Sequence, residues 1–460
     1  MEKKVAKNTL ILSIAVLFCF SAFLALQSFQ STLFPGTGPI SLSIIYSFAT
    51  LSSLYAPVVI EKVGVKCTIA VTTITELFYI STFYYHQLYT LIPSAILLGL
   101  SLGPMYCAQM TYLLRNISRI SFVTQAMRHK IQQRFLRQFS VITRSSYLWG
   151  HLIAAFIISF ADESTFIPVI TNSTEVSSVV EISKMCTGIS SQIEDFSLDA
   201  DKAELFSSAN TVSPKVTEIF LYVSASCSVI GIVLIAVFLE KLEVLLQQDP
   251  LERPLISVTL RQIRLVLIDR HVRLVWPMLF FIGIEQAFIF SDFTRSFISC
   301  SLGVQSVAFT MMCLGGSNIL GSIAVYLFSE HIQRLTIMAA SLVCQVGLLM
   351  VLWLWTPAKD DAAVLYVVAG GWGLCNAIWE TLAMTYVAAA YTDDWQVPFC
   401  TYFQMQFLGM ALTFSLSNYI HLETKICILA AALVIAIVPY TILEFRLHHR
   451  NHVQNRTAML

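Results

Sequence analysis

Glu285-Gln286-Ala287-Phe288-Ile289-Phe290-Ser291-Asp292-Phe293-Thr294-Arg295 places three ionisable groups inside an apolar run that begins near Val275. A charged side chain near the bilayer centre costs about 2.5 to 3.5 kcal/mol on insertion scales, so such groups face a bundle interior, pair, or line a solute path. Glu285 and Asp292 are seven residues apart, two turns of an α-helix, and the spacing predicts one shared face. Arg295, three residues past Asp292, is in reach of that carboxylate at the helix end, which predicts an ion pair at the membrane surface. Glu285 lies deeper and is read equally well as structural or functional.

Composition outside this stretch agrees with a membrane setting. Of 460 residues, 56% are hydrophobic and 12% charged, and the mean hydropathy is +0.72, against about 25% charged in soluble domains. Formal net charge is zero, so the distribution of charge carries the information. The expected surroundings are the lipid bilayer, and no nucleic-acid partner is expected. Eleven cysteines without a CxxC pair, and a histidine-bearing tail (His448, His449, His452), give no metal-site pattern.

Twelve apolar segments have membrane-spanning length. They cover 8–33, 39–60, 67–85, 89–114, 140–161, 216–239, 274–300, 304–328, 335–356, 362–391, 397–420 and 425–445. With the N-terminus in the cytosol, 22 Lys and Arg residues fall on the inner side and 6 on the outer. The positive-inside rule therefore expects both termini to be cytosolic. Arg144 counts as an inner-face charge in this reading.

Two polar interruptions divide the chain. Residues 162–214, expected to face outward, carry nine acids against two lysines, and 240–272 forms a central cytosolic loop. The expected organisation is an N-terminal six-helix half over 1–239, the central loop, a C-terminal half over 273–446 and a cytosolic tail over 447–460. Six plus six helices is the outline of the all-α major facilitator fold, whose halves are parallel repeats.

Residues 120–135 of the connection between the fourth and fifth segments repeat Ile120, Val123, Met127, Ile131 and Phe135 at helical spacing beside basic residues. That pattern predicts a helix lying in the membrane interface. Among polar residues within segments, Asn376 and Glu380 share a face next to Gly370, Gly371 and Gly373, as in close helix packing. Gln27, Gln30 and Gln109 are candidates for a central cavity, and Glu76 has no partner evident in sequence. Asn172 heads the acceptor triplet on the outer side, whereas Asn116 and Asn455 fall in the cytosol. Cys186 and Cys300 lie nearest the oxidising side and are the candidate disulfide. No HExxH, P-loop, GxSxG or dinucleotide fingerprint occurs, so neither an enzyme nor a cofactor is expected.

Several of these segments together resemble the Unc-93-like family of the major facilitator superfamily. The resemblance rests on Leu26-Gln27-Ser28-Phe29-Gln30-Ser31, on 91–100 with Ala108-Gln109-Met110-Thr111-Tyr112-Leu113, on Trp149-Gly150-His151-Leu152-Ile153, and most closely on Glu285-Gln286, 291–297 and Cys300-Ser301-Leu302-Gly303. It implies a regulatory or trafficking subunit of another membrane protein, a channel or receptor, with a potassium channel complex as one example. It favours the plasma membrane over endolysosomal membranes. The fold alone suggests the alternative, a secondary transporter of a small solute or ion by alternating access. The chain departs from the family pattern at His151, Asn376, Glu380, Phe403 and Gln406, where family members carry Asn, Asp, Gln, Arg and Glu.

Overall fold

The computed structural model describes residues 2–34, 36–85, 87–120, 125–159, 214–241, 256–328, 331–355, 362–391 and 395–458. Asn172 and Cys186 lie outside them. The described residues form helices without a strand. Twelve rods follow the chain: α1 (Glu2–Leu33), α2 (Gly38–Val63), α3 (Val65–Thr82), α4 (Leu88–Ser118), α5 (Gln125–Ser159), α6 (Pro214–Val233, extended by a π-helical Leu234–Phe238), α7 (Trp276–Phe288, continued by a π-helical Ile289–Ser299), α8 (Gln305–Phe328), α9 (Arg334–Leu354), α10 (Ala362–Ala390), α11 (Gln396–Leu416) and α12 (Leu422–Ala458). Among the described residues, nine helices are long and apolar enough to cross a membrane. The three rods short of that measure are α3, α7 and α11, each packed within the bundle.

Packing reveals an internal repeat. In the first half α1 packs on α5 and α6, α4 on α2 and α3, and α3 on α6; in the second, α7 packs on α11 and α12, α10 on α8 and α9, and α9 on α12. Adding six to each helix number converts the first set into the second. The principal contacts between halves, α2 on α11 and α5 on α8, exchange under the same operation, as a two-fold axis along the membrane normal requires.

Small residues let the rods approach, because lipid offers no hydrophobic drive between helices and close van der Waals contact must do the work. A Cβ on Gly150 would stand 2.3 Å from the Ser21 carbonyl oxygen, and one on Gly409 would stand 2.3 Å from that of Phe280. These are corresponding crossings, α5 on α1 and α11 on α7. Gly303, at φ +85°, turns the chain between α7 and α8.

One sequence expectation changes here, and two segments gain detail. The basic stretch before the fifth segment is not a separate interfacial helix where it is described: from Gln125 it is the first part of α5, and Phe135 is buried in the core. Ile120 and Ile131 pack against the same core. The central loop instead supplies a helix, Ile256–Ile268, that packs against α2 and α11. Residues 447–458 of the expected tail continue α12 as helix.

On the face carrying the chain ends, Lys4 Nζ lies 3.1 Å from Glu240 Oε2 and the Asn8 amide donates to the same oxygen at 3.2 Å. The Asn8 and Lys4 hydrogen bonds hold the Glu240 carboxyl below the usual carboxylate range. They latch α1 to the end of α6.

Candidate functional site

Arg144 is the residue that the sequence reading misplaced. It is 6% exposed, inside the bundle on α5, so it is not a cytosolic topology charge. Its Nη2 lies 3.0 Å from Glu380 Oε2 on α10. Nη1 donates to Ser322 Oγ at 2.6 Å, to Thr381 Oγ1 at 2.8 Å and to the Ala377 carbonyl at 3.1 Å. A guanidinium taken out of water needs acceptors and a counter-ion: Nη1 has three acceptors, and Nη2 has the Glu380 carboxylate at ion-pair distance without hydrogen-bond geometry. The donor comes from the first half and every acceptor from the second.

Glu380 is likewise surrounded. Gln286 Nε2 of α7 donates to its Oε1, and Gln406 Nε2 of α11 reaches the same oxygen at 3.4 Å while donating to Gln286 Oε1 at 2.9 Å. The glycine-mediated approach of α7 and α11 at Gly283 and Gly409 brings these amides together. Glu380 is thus an ionic link across the seam between halves. Asn376, one turn earlier, is buried with its Oδ1 lacking a hydrogen-bond partner.

Aromatic rings fill the same seam. Tyr106 of α4 meets Phe403 and Phe407 of α11 at centroid distances of 4.9 and 5.2 Å, and Tyr46 of α2 stacks on Phe414 at 5.6 Å and 9°. Tyr147 of α5 stacks on Phe290 of α7 at 5.9 Å. Toward the face bearing the chain ends, Arg115 Nη2 donates to Gln396 Oε1 at 3.3 Å, and Gln396 Nε2 to the Pro57 carbonyl at 3.3 Å. At the other end Ser43 and Ser415 are hydrogen-bonded at 2.5 Å. The halves therefore touch at both ends and in the middle.

Gln27 meets this seam indirectly, its Oε1 accepting from Tyr46 at 2.8 Å. Gln30 turns into its own half, donating to Tyr79 at 2.8 Å and to the Gly38 carbonyl at 3.1 Å. Gln109 is buried with Nε2 unpartnered. Glu76 does have a partner, the Ser228 hydroxyl of α6 at 3.2 Å. His151 Nδ1–H donates to the Tyr147 carbonyl at 2.7 Å, and Nε2 lies 2.8 Å from Ser28 Oγ, fastening α5 to α1.

The Asp292–Arg295 pair expected from sequence is replaced by another. Asp292 Oδ1 lies 2.6 Å from Lys425 Nζ on α12 and accepts from Ser417 at 3.2 Å. Arg295 Nη1 donates to Asn418 Oδ1 at 3.2 Å. The cause is the winding of α7. From Ile289 to Ser299 the helix is π, and closing i→i+5 bonds takes roughly 4.4 residues per turn, about 82° each, against about 100° in an α-helix. Three such steps carry Arg295 roughly 245° from Asp292, well away from its face. The same winding puts Asp292 roughly a quarter-turn off Glu285, so the two acids do not share a face. Glu285 points among α9 and α10, beside Trp372 and Gln345.

Cys300 is disulfide-bonded; the expected partner Cys186 is outside the described residues. Among the described residues no cluster of His, Cys, Asp and Glu has the arrangement to hold a metal.

Among the described residues, packed rods in two repeated halves, with a charged and aromatic seam between them, define a polytopic membrane protein of the major facilitator architecture. A crystal structure of a D-xylose–proton symporter matches with a TM-score of 0.58 at 9% identity, covering 95% of this chain and 97% of that one. The fucose transporter FucP in its outward conformation matches at 0.57 and 12%, covering 95% and 98%. These likenesses concern the fold. Within it, the chain belongs to the UNC-93 family: the family model described as "Ion channel regulatory protein UNC-93" matches residues 30–440. "Protein unc-93 homolog A" of Xenopus laevis is 29% identical, covering 98% of this chain and 95% of its own length. The human protein of the same name is 27% identical, covering 95% and 93%. The "Putative potassium channel regulatory protein unc-93" of Caenorhabditis elegans is 23% identical over 96% of this chain and 61% of its own.

Proposed function

We propose that this chain is a regulatory subunit of an ion channel in the plasma membrane, with a potassium channel the first class to test. The observation that carries the reading is the filled seam. In an alternating-access carrier the space between halves holds the solute; here Tyr46, Tyr106, Phe403, Phe407 and Phe414 occupy it. A carrier scaffold packed in this way is suited to presenting a fixed membrane-facing surface to another protein. The family's description and the printed name of the worm relative supply the channel.

The same reading has the two halves at 1–239 and 273–446, both termini cytosolic, a glycan on Asn172 and a disulfide joining Cys186 to Cys300. It is tested by isolating the tagged chain from native membranes and identifying co-purifying channels, alongside solute uptake into proteoliposomes holding the chain alone. Co-isolation of a channel whose current changes when the chain is removed is the expected result. The Arg144–Glu380 pair favours one alternative, transport of a small solute with the pair breaking and re-forming as the halves rock. Saturable flux by the chain alone, with no associated channel, would replace the regulatory reading.

A further inference from the structure

Behind the seam, inside the C-terminal half, α7, α9 and α10 enclose a second polar cluster that the Arg144 network does not use. Glu285, Gln345 and Trp372 are each 0% exposed. The Trp372 and Gln345 N–H groups face the Glu285 carboxyl as donors without reaching strict hydrogen-bond geometry, which leaves both Glu285 oxygens, both Gln345 amide atoms and Trp372 Nε1 unpaired. Among the described residues no Lys, Arg or His is within ion-pair distance of Glu285, although Asp292, Glu380 and Glu444 in the same half each have a cation.

The titratable neighbours offer no compensation. Glu380 and Cys375 face Glu285 from α10, and Cys344 of α9 adjoins Cys375. α11 contributes the uncharged Gln406, which is turned to Gln286 and Glu380. On α12, Tyr440 and Glu444 face each other, Arg334 and Tyr386. Glu380 is itself neutralised by Arg144.

We infer that Glu285 is a proton-binding site of the C-terminal half, carrying its proton as a neutral carboxylic acid at neutral pH. A buried carboxylate without a counter-ion is more costly than its neutral form. The proton also accounts for Gln345 Oε1, which an ionised Glu285 has no hydrogen to partner: the acid O–H has that oxygen to donate to, while the Trp372 and Gln345 N–H groups face the carboxyl oxygens in either state. Glu285 and Gln286 are consecutive on α7, about 100° apart. The proton site and the Glu380-binding amide thus share one rod. This inference is independent of the channel-regulating reading.

The test is infrared spectroscopy of the purified full chain in lipid nanodiscs, comparing wild type with Glu285→Gln at neutral pH. The expected difference is the loss of one protonated carboxylic C=O stretch, one that shifts in D2O and disappears in the wild type as pH is raised. Glu76→Gln, in the other half, is to leave that band in place. If Glu285→Gln does not accumulate, Glu285→Asp serves, keeping the acid and moving the band. Loss of an ionised carboxylate band on Glu285→Gln, or an unchanged protonated-acid region in the accumulating variant, would overturn the assignment.

Discussion

Replacing Arg144 by methionine tests whether the seam is held by charge. The change keeps much of the side-chain bulk but leaves Glu380 without its cation; at 7% and 14% side-chain exposure, solvent does little to replace the guanidinium. Breaking one partner of a buried pair costs about 3 to 5 kcal/mol. Glu380→Gln should cost less, about 1 to 3 kcal/mol, because Arg144 keeps Ser322, Thr381 and the Ala377 carbonyl. The double variant Arg144→Met with Glu380→Leu removes both charges and should lie closer to wild type than Arg144→Met alone, since apolar replacement of a whole buried pair is often neutral or stabilising. The measurement is folded yield and thermal unfolding in nanodiscs for all three variants. The reasoning fails if Arg144→Met unfolds with wild type, or if the double variant is no more stable than Arg144→Met.

Lys425→Met should destabilise by about 3 to 5 kcal/mol, not the roughly 0 to 1 kcal/mol of an exposed pair, because it strands Asp292; equal losses from Arg295→Met and Lys425→Met would contradict the assigned pairing. Gly409→Leu should cost at least about 1 to 3 kcal/mol by driving α11 off the Phe280 carbonyl, whereas Gly316→Ala, whose Cβ meets nothing within 4 Å, should be near neutral in the same unfolding assay. Asn172→Gln should abolish a glycosidase-sensitive mobility shift that Asn116→Gln and Asn455→Gln leave intact; a glycan on Asn455 would reverse the topology.

Hydropathy made the rods legible because each must bury its own backbone hydrogen bonds in lipid, and that demand is written locally. Pairing across the bundle is not local. Arg144 sits among Thr143, Ser145 and Ser146 near the start of the fifth segment, where a cation reads as part of the membrane edge, and Glu380 follows 236 residues later. Lys425 similarly looked like a flank of the last segment and proved to be the partner of Asp292. The polar character of Glu285, Asn376 and Glu380 could be read; their directions could not. For Glu285 and Asp292 the error came from assuming α-helical winding through Ser291, where the chain had changed period without a proline or glycine between Ile284 and Arg295 to announce it.

That change of period makes α7 a dial. Over the eleven residues Ile289–Ser299, each step differs from an α-helical one by roughly 18°, so rewinding the stretch would turn its far end by roughly half a revolution relative to Glu285. Asp292, already four steps into the stretch, would swing by roughly 70° away from Lys425, while the inner portion holding Gln286 need not rotate. Torsion along a single rod is therefore a way for the two ends of this protein to change partners independently, without any tilting of one half against the other.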